Sequence, residues 1–466
     1  MELLRWFQSA RKTGYDPAGG TAVDYYEGAG KLQTPAAVLE KLAMRNSLTP
    51  DSGKLILAMV GLPARGKSFI SHKLEAFLNW GGHSTRIFNA GQKRRHEPTP
   101  SADPDRQRGA ATFFDPNDAA AVAAREQIAM LTLDELLEWF ETGGGTIGIL
   151  DATNTTRARR ASLHERAAAY TKRTGVSVGI VFIESICDEE AVIEANLRVK
   201  VRSSPDFTGL GEDSALAEMQ QRIRHYEQVY ETIEDDEGAY IKLFNLSSKV
   251  CANRVFGRMS RRVLPFLTAL HIRERAIYLV ALPPGDLAVP HELGLARRLA
   301  AFLRTESDVS GLLPQLLSST QPVPLKVASS LQNAGHCQFV AHQPGLNPLD
   351  RGSTAAAGPD LLSQMQFSER FAGGGESFAD LVRRLEPCLL EVEASMAPVL
   401  ILAHGSPCRA LRAYFLGRNV SRCMGPASSD GALALANEGF KLVKLTPMAG
   451  GSWAETIVDL DAVTPK

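Results

Sequence analysis

From Lys54 onward, short apolar runs alternate with longer stretches of mixed polarity. LILAMV (55–60), TRIFNA (85–90), TIGILD (146–151), VSVGIVF (177–183) and YIKLFN (240–245) have the composition of buried parallel strands. Between them lie stretches with helical spacing near 67–80, 118–142, 157–173, 188–200 and 214–231. Strands alternating with helices predict βαβ units and a largely parallel sheet covered on both faces. Residues 253–271 predict a helix leading into a second unit. That unit opens with AIYLVAL (276–282), continues through a helix near 290–304 and a Gly/Pro/Ser-rich middle (308–375), and ends its clear pattern with an amphipathic helix (375–396), the strand PVLILA (398–403) and a helix over 407–416. Before Lys54 the pattern is weak, with one candidate helix at 35–47, and no repeat of solenoid length occurs anywhere. The expected class is α/β, in two successive layered units.

Composition narrows the kind of molecule. A chain of 466 residues has room for two or three domains. Lys plus Arg (51) nearly balance Asp plus Glu (52), and a net charge of −1 argues against a general nucleic-acid binder or a protein drawn to anionic membranes. Hydrophobic residues at 44% with 22% charged are those of a globular chain, and no apolar run reaches the roughly 18 residues of a spanning helix. The N-terminal stretch MELLRWFQSARKTGYD meets charge too early for a secretory signal. Six scattered cysteines without a CxxC pair suit a reducing compartment. A cytoplasmic enzyme acting on a small molecule is expected, with homo-oligomer formation left open.

The chemistry is concentrated after the first strand. Gly61, Leu62, Pro63, Ala64, Arg65, Gly66, Lys67 and Ser68 satisfy GxxxxGK[ST], entered by a strand and left by a helix. Glycines let backbone N–H groups turn inward around a polyanion, and the helix N-terminus adds its dipole. Lys67 can reach β- and γ-phosphates, and the Ser68 hydroxyl suits Mg²⁺. Asp151 ends the strand TIGILD, where it can hold the metal or orient an attacking hydroxyl. Capping the next helix is the alternative for Asp151, a task that Thr153, Asn154 or Thr155 would do equally well. Arginines then recur beside strand ends: Arg94, Arg95, Arg125, Arg157, Arg159, Arg160, Arg222 and Arg224. Clustered guanidiniums would suit an acceptor that already carries a phosphate. The residues alone therefore describe a P-loop kinase.

GLPARGKS, LNWGGHSTRIFNAGQKRR, FFDPND, DATNTTRARR, FIESICDEE, SSPDF and RIRHYE follow one another in the order of a known family. The chain resembles the bifunctional 6-phosphofructo-2-kinase/fructose-2,6-bisphosphatases, from about residue 53 to 273 for the kinase half and more patchily to about 460. The resemblance implies a P-loop kinase domain (53–250) after an extension (1–52), a linker helix (251–273), and a histidine-phosphatase-like, phosphoglycerate-mutase-like α/β domain (274–466). It implies transfer of the γ-phosphoryl of ATP, with Mg²⁺, to the 2-hydroxyl of fructose 6-phosphate. Carried over by motif, Gly61 to Ser68 would cradle ATP, Asp151 would serve metal and acceptor with Thr153 nearby, and Arg94, Arg125, Arg159, Arg222 and Tyr226 would hold the sugar phosphate. Cys187 matches a cysteine lining the active site, although it could equally be a buried inert thiol, and Asn196 lies in a nucleotide-contacting stretch. One position departs: the family's sugar-phosphate lysine falls on Val201, with Lys200 and Arg202 on either side. The loop 92–112 is also more polar than usual.

The second half departs further. Ala281, Leu282 and Pro283 occupy the place of the Arg-His-Gly motif that supplies the phosphatase nucleophile. Leucine has no lone pair with which to attack phosphorus, and alanine gives a dianion no guanidinium. Taking Ala334-Gly335-His336-Cys337 as the usual segment puts Leu331 at the acid/base glutamate, and Phe371, Ala372 and Gly374 replace a basic and aromatic run. His404 and Arg409 match the second histidine and a phosphate-binding arginine. The expectation is a kinase without bisphosphatase activity. A P-loop kinase for another phosphorylated sugar or a nucleotide, and a non-catalytic nucleotide-binding regulator, are the alternatives.

Overall fold

The computed structural model describes residues 53–96, 111–246, 248–283, 289–354, 365–424, 440–448 and 451–463. The candidate helix at 35–47 and most of the polar loop 92–112 lie outside the described residues.

The first sheet begins with β1 (Lys54–Val60), six of whose seven residues are buried. The chain continues through α1 (Lys67–Trp80), β2 (Thr85–Asn89), α2 (Ala90–His96), α3 (Ala119–Thr142), β3 (Ile147–Asp151), α4 (Arg157–Thr174) and β4 (Val178–Ile186). It then forms α5 (Glu190–Ser203), α6 (Glu212–Glu227), β5 (Ala239–Phe244) and β6 (Lys249–Asn253). The strand order is β2-β3-β1-β4-β5-β6, parallel except for β6, which runs antiparallel to β5. Ile56, Ala58 and Val60 bury one face of the sheet against Leu133, Leu136 and Phe140 of α3 and Leu163, Ala167 and Tyr170 of α4. Successive crossovers leave β1 on opposite sides, to β2 and β3 one way and β4 and β5 the other. Its carboxyl end therefore opens at a switch point, where doubly wound sheets bind ligands.

Helix α7 (Gly257–Ala269) leads to the second sheet: β7 (Ile277–Leu282), α8 (Val289–Ser310), β8 (Gln315–Ser318), α9 (Pro322–Asn333) and β9 (Phe339–His342). Then follow α10 (Phe378–Ala394), β10 (Val399–His404), α11 (Gly405–Phe415), α12 (Val420–Cys423), β11 (Lys441–Pro447) and β12 (Trp453–Asp459). The order is β12-β11-β7-β10-β8-β9, with β7, β10, β8 and β9 parallel and β11 and β12 antiparallel. Tyr278, Val280 and Leu282 pack with Leu295 and Leu299 of α8 and with Val323, Val327 and Leu331 of α9. The protein thus holds two α/β domains.

The five strands expected in the first unit are present, and β4 runs on to Ile186. Eight elements carry too little local signal to be expected, among them the short helices α2, which takes up the start of the polar loop 92–112, and α12. Strands β8 and β9 are four residues long, while β6 and β12 are polar antiparallel edges. Strand β11 follows the last segment with a clear pattern. Helix α9 lies within the Gly/Pro/Ser-rich middle and starts Pro-Val-Pro-Leu, and proline is tolerated in a first turn because those N–H groups have no helical partner.

Helix α1 is shared by both halves. Phe77 stacks on Phe266 of α7 with ring centroids 4.2 Å apart, and Trp80 Nε1 donates to Ala410 O of α11 at 2.8 Å. The helix that starts at the phosphate loop therefore ends inside the packing of the second domain.

Candidate active site

The loop between β1 and α1 has the backbone its motif requires. Gly61 has φ of +132°, and a Cβ there would fall 2.5 Å from Ser185 O, so only glycine fits. Gly66, at φ +83°, turns the chain into α1, which has neither a side-chain cap nor an acidic residue in its first turn. Such a terminus suits an anion.

Lys67 is buried, and its Nζ donates to Leu62 O at 2.6 Å. Burial pushes its pKa down to about 7; Asp151 opposes this, and Lys200 and Arg65 add to it. An ammonium so short of solvation gains much from a polyphosphate. Ser68 Oγ donates to Asp151 Oδ2 at 2.8 Å, and Asn89 Nδ2 donates to the same oxygen at 2.6 Å. Asp151 is not a helix cap: Thr156 caps α4, accepting from Arg159 N at 3.2 Å. Thr153 ties the two loops together, its carbonyl accepting from Gly61 N at 3.0 Å.

A hydroxyl and a buried carboxylate in contact are hard oxygen donors of the sort Mg²⁺ takes alongside substrate phosphates. The described residues contain no cluster of three or more His, Cys, Asp or Glu side chains that could hold a metal alone. Ser68 and Asp151 together with a nucleotide's own oxygens therefore fit the ion.

The expected sugar-phosphate residues converge on α2, α3, α4 and α6. Arg94 and Arg222 are both buried and both donate to Asp206, Arg222 Nη1 at 3.0 Å. Their guanidiniums lie over the Phe114 ring at 5.1 and 4.2 Å, and Tyr226 packs on the same ring at 5.6 Å. Burial pushes the Asp206 carboxyl up, but the two arginines outweigh that and hold it below the usual range. Arg125 donates to Phe113 O, and Tyr226 and Arg159 both act on its charge. Arg159 itself grips Glu126 through two nitrogens. Arg160, also buried, pairs with Glu237 and is structural.

Three consecutive residues of α5 divide the chemistry. Val201 is 6% exposed and packs with Leu197, Phe207, Ala215 and Met219. Arg202 points to Glu212 at 2.9 Å. Lys200, although largely exposed, has its ammonium pushed below its ordinary pKa by desolvation, with Asp151 pulling the other way and Arg95 and Arg222 nearby. Cys187 is half-buried and, with Arg65, Gly66 and Asn196, lines a cavity of about 490 Å³; Asn196 Nδ2 donates to Ala64 O at 3.2 Å.

In the second domain, Leu282 pairs with His404 across β7 and β10, and its side chain is fully buried in the core. His404 is buried as well, with Nδ1 3.1 Å from Leu282 O and Nε2 3.2 Å from Ser319 Oγ, and burial lowers its pKa. Arg409 Nε donates to Gly405 O of its own helix at 3.2 Å. The expectation for Leu331 needs correction. It lies on the core face of α9, and Ala334-Gly335 merely ends that helix; Ser319 stands beside His404, with Asn347 bonded to it at 2.9 Å.

Asp206, Asn89 and Ser319 were not singled out from the sequence. Asp206 and Asn89 lie inside SSPDF and TRIFNA, but their importance rests on partners far along the chain.

A phosphate loop at the switch point of a parallel sheet, with Lys67, Ser68 and Asp151 in its mouth, defines a P-loop phosphotransferase domain, here joined to a domain of histidine-phosphatase type. The family is named by comparison. The model of the 6-phosphofructo-2-kinase family matches residues 44–274, and that of the histidine phosphatase superfamily (branch 1) matches residues 349–443. The 6-phosphofructo-2-kinase/fructose-2,6-bisphosphatase of Gallus gallus is 32% identical over 91% of this chain and 90% of its own. The enzyme of that name from Aquarana catesbeiana is 32% identical over 88% and 86%, and a probable 6-phosphofructo-2-kinase of Schizosaccharomyces pombe is 30% identical over 83% and 71%. The chain belongs to the 6-phosphofructo-2-kinase/fructose-2,6-bisphosphatase family, whose kinases use ATP and Mg²⁺.

Proposed function

We propose that the protein phosphorylates fructose 6-phosphate at its 2-hydroxyl, giving fructose 2,6-bisphosphate, and does not hydrolyse that product. The observation that carries the reading is the adjacency of two sites. Ser68 and Asn89 both donate to Asp151 at the phosphate loop, and α2, which begins directly after Asn89, carries Arg94 to Asp206 and so to Arg222.

Within this reading the loop N–H groups and Lys67 hold the triphosphate, Lys67 exchanging its bond to Leu62 O for phosphate oxygens. Ser68 and Asp151 would hold Mg²⁺, which supplies Lewis-acid neutralisation of charge on the transferring group. The arginines and Tyr226 fix the 6-phosphate and so aim the 2-hydroxyl. The bond from the hydroxyl oxygen to γ-phosphorus forms as the bond from γ-phosphorus to the bridging oxygen breaks, and Asp151 is placed to accept the hydroxyl proton. Orientation and fixed positive charge carry most of such a transfer. Lys200 supplies the cation that Val201 does not, which favours the phosphosugar over other acceptors.

Lack of bisphosphatase activity follows from Ala281 and Leu282, because the strand end that would carry the nucleophile carries a core leucine. The scattered thiols suit a cytoplasmic setting. Incubation of the full chain with MgATP and fructose 6-phosphate is expected to yield an acid-labile bisphosphate, and Lys67→Met none. Equal behaviour of the two would overturn the kinase reading. Phosphate release from fructose 2,6-bisphosphate that is lost in His404→Ala would overturn the second half of the reading.

A further inference from the structure

Ser185 stands at the carboxyl end of β4, the strand beside β1 at the switch point, and is buried. It meets the phosphate loop at both of its glycines. A Cβ on Gly61 would come within 2.5 Å of the Ser185 carbonyl oxygen, and one on Gly66 would lie 3.9 Å from its hydroxyl. Between them, the hydroxyl donates to Arg65 O inside the loop. The strand end that presents it is itself fixed. The neighbouring Glu184 is fully buried and accepts from the Tyr230 hydroxyl, from Thr232 Oγ1 at 3.0 Å and from Ile233 N at 3.3 Å. Within the loop, Ala64 sits at φ +60°, a left-handed conformation unusual for a residue with a side chain. Such a conformation persists where the surroundings over-determine it. Here Ala64 O accepts from Asn196 Nδ2, and the next carbonyl, Arg65 O, accepts from Ser185.

We infer that Ser185 is a positioning residue for the phosphate loop: by holding Arg65 O, its hydroxyl aims the Gly66 N–H at the phosphates of the substrate. This rests on the P-loop kinase reading above. The peptide joining Arg65 to Gly66 is trans, so its C=O and N–H point in opposite directions. Drawing the carbonyl toward the end of β4 turns the amide away from it, into the ring of N–H groups that a polyanion occupies. Without the hydroxyl the same peptide plane is free to rotate and to present its oxygen, which a phosphate repels. Glycine at position 66 makes that rotation easy, so the restraint has to come from outside the loop. Ser185 lies 120 residues beyond Arg65, and the loop motif therefore carries no sign of it. In this role it touches no substrate and acts only through the loop backbone.

The test separates the hydroxyl's bond from its bulk. Equilibrium binding of MgATP and of Mg-tripolyphosphate, which engages the loop alone, is measured on the full chain and on Ser185→Ala and Ser185→Cys, together with KM for fructose 6-phosphate. Cysteine keeps the volume of the side chain but is a weak donor. Both variants should bind tripolyphosphate and MgATP more weakly by the same factor, on the order of tenfold, the scale of one hydrogen bond to a charged group. KM for fructose 6-phosphate should stay within about twofold, because the bond acts on the loop and not on the arginine cluster. Unchanged tripolyphosphate binding in Ser185→Ala would overturn the proposal. So would wild-type binding in Ser185→Cys beside a loss in Ser185→Ala, since packing and not the donor would then matter. Failure of both variants to fold would overturn it as well, because the hydroxyl would then serve the core of the sheet. Failure of the wild type to bind either ligand would instead overturn the kinase reading and this proposal with it.

Discussion

Lys73 Nζ lies 2.8 Å from Glu393 Oε1, a buried pair that fastens the helix of the phosphate loop to α10 of the C-terminal domain. Glu393 also accepts from Tyr414 at 2.7 Å and has Arg275 at 3.7 Å. Removing one member leaves a buried charge without compensation, at a cost of roughly 3–5 kcal/mol. Lys73→Met and Glu393→Gln should each lower the midpoint of chemical unfolding markedly, and the double variant should lose less than the sum. Additive losses would show that the two residues do not interact.

The same pair sets an acid sensitivity. Burial pushes the Glu393 carboxyl up, but Lys73 and Arg275 outweigh it and leave the group below the usual carboxylate range. A carboxylate whose folded pKa is depressed contributes stability that is fully present above its unfolded value, about 4.3, and is lost as pH falls through the folded value. Melting temperature followed from pH 7 down to about pH 3 should fall less steeply in Glu393→Gln than in wild type below about pH 4.3. Parallel curves would remove Glu393 from the acid response.

Asp206 holds two arginines that the reaction would need for a phosphate. Arg94→Ala and Arg222→Ala should each raise KM for fructose 6-phosphate by about tenfold or more, the scale of a charge-assisted hydrogen bond. KM for ATP should change little, since neither arginine borders the loop cavity. Asp206→Asn should also raise KM for the sugar, by loosening both guanidiniums. Comparable changes in both KM values would place the cluster elsewhere in the reaction.

How much of this was legible in the sequence depended on distance along the chain. The phosphate loop is eight consecutive residues, and its flanking strand and helix are local patterns, so its place at the switch point could be read directly. Asp206 could not be weighed that way, because its partners Arg94 and Arg222 lie 112 and 16 residues away. Leu331 shows the opposite failure. Counting from a short motif placed it at a catalytic position, whereas the helix that carries it turns it into the core. Edge strands such as β12 gave no signal because half their residues face water, and pairing with β11, not composition, makes them strands.

Lys200, Val201 and Arg202 offer the sharpest test of the acceptor site, since successive residues of a helix point about 100° apart. Only one of the three can take the place of a displaced cation. Val201 is committed to the packing around Phe207 and Met219, and Arg202 to Glu212 on the exposed side. Lys200 has its ammonium in the field of Asp151 and Asp206. Lys200→Ala should therefore lower kcat/KM for fructose 6-phosphate by about 100-fold or more, the cost of removing a preorganised donor from charge developing in a transition state. Arg202→Ala should stay within about threefold of wild type, as expected for an exposed ion pair. Lys200→Arg should recover part of the loss, since it restores the charge with a different shape. Steady-state kinetics on the three variants decide the matter. A large loss in Arg202→Ala with Lys200→Ala near wild type would mean that α5 presents its other side to the substrate.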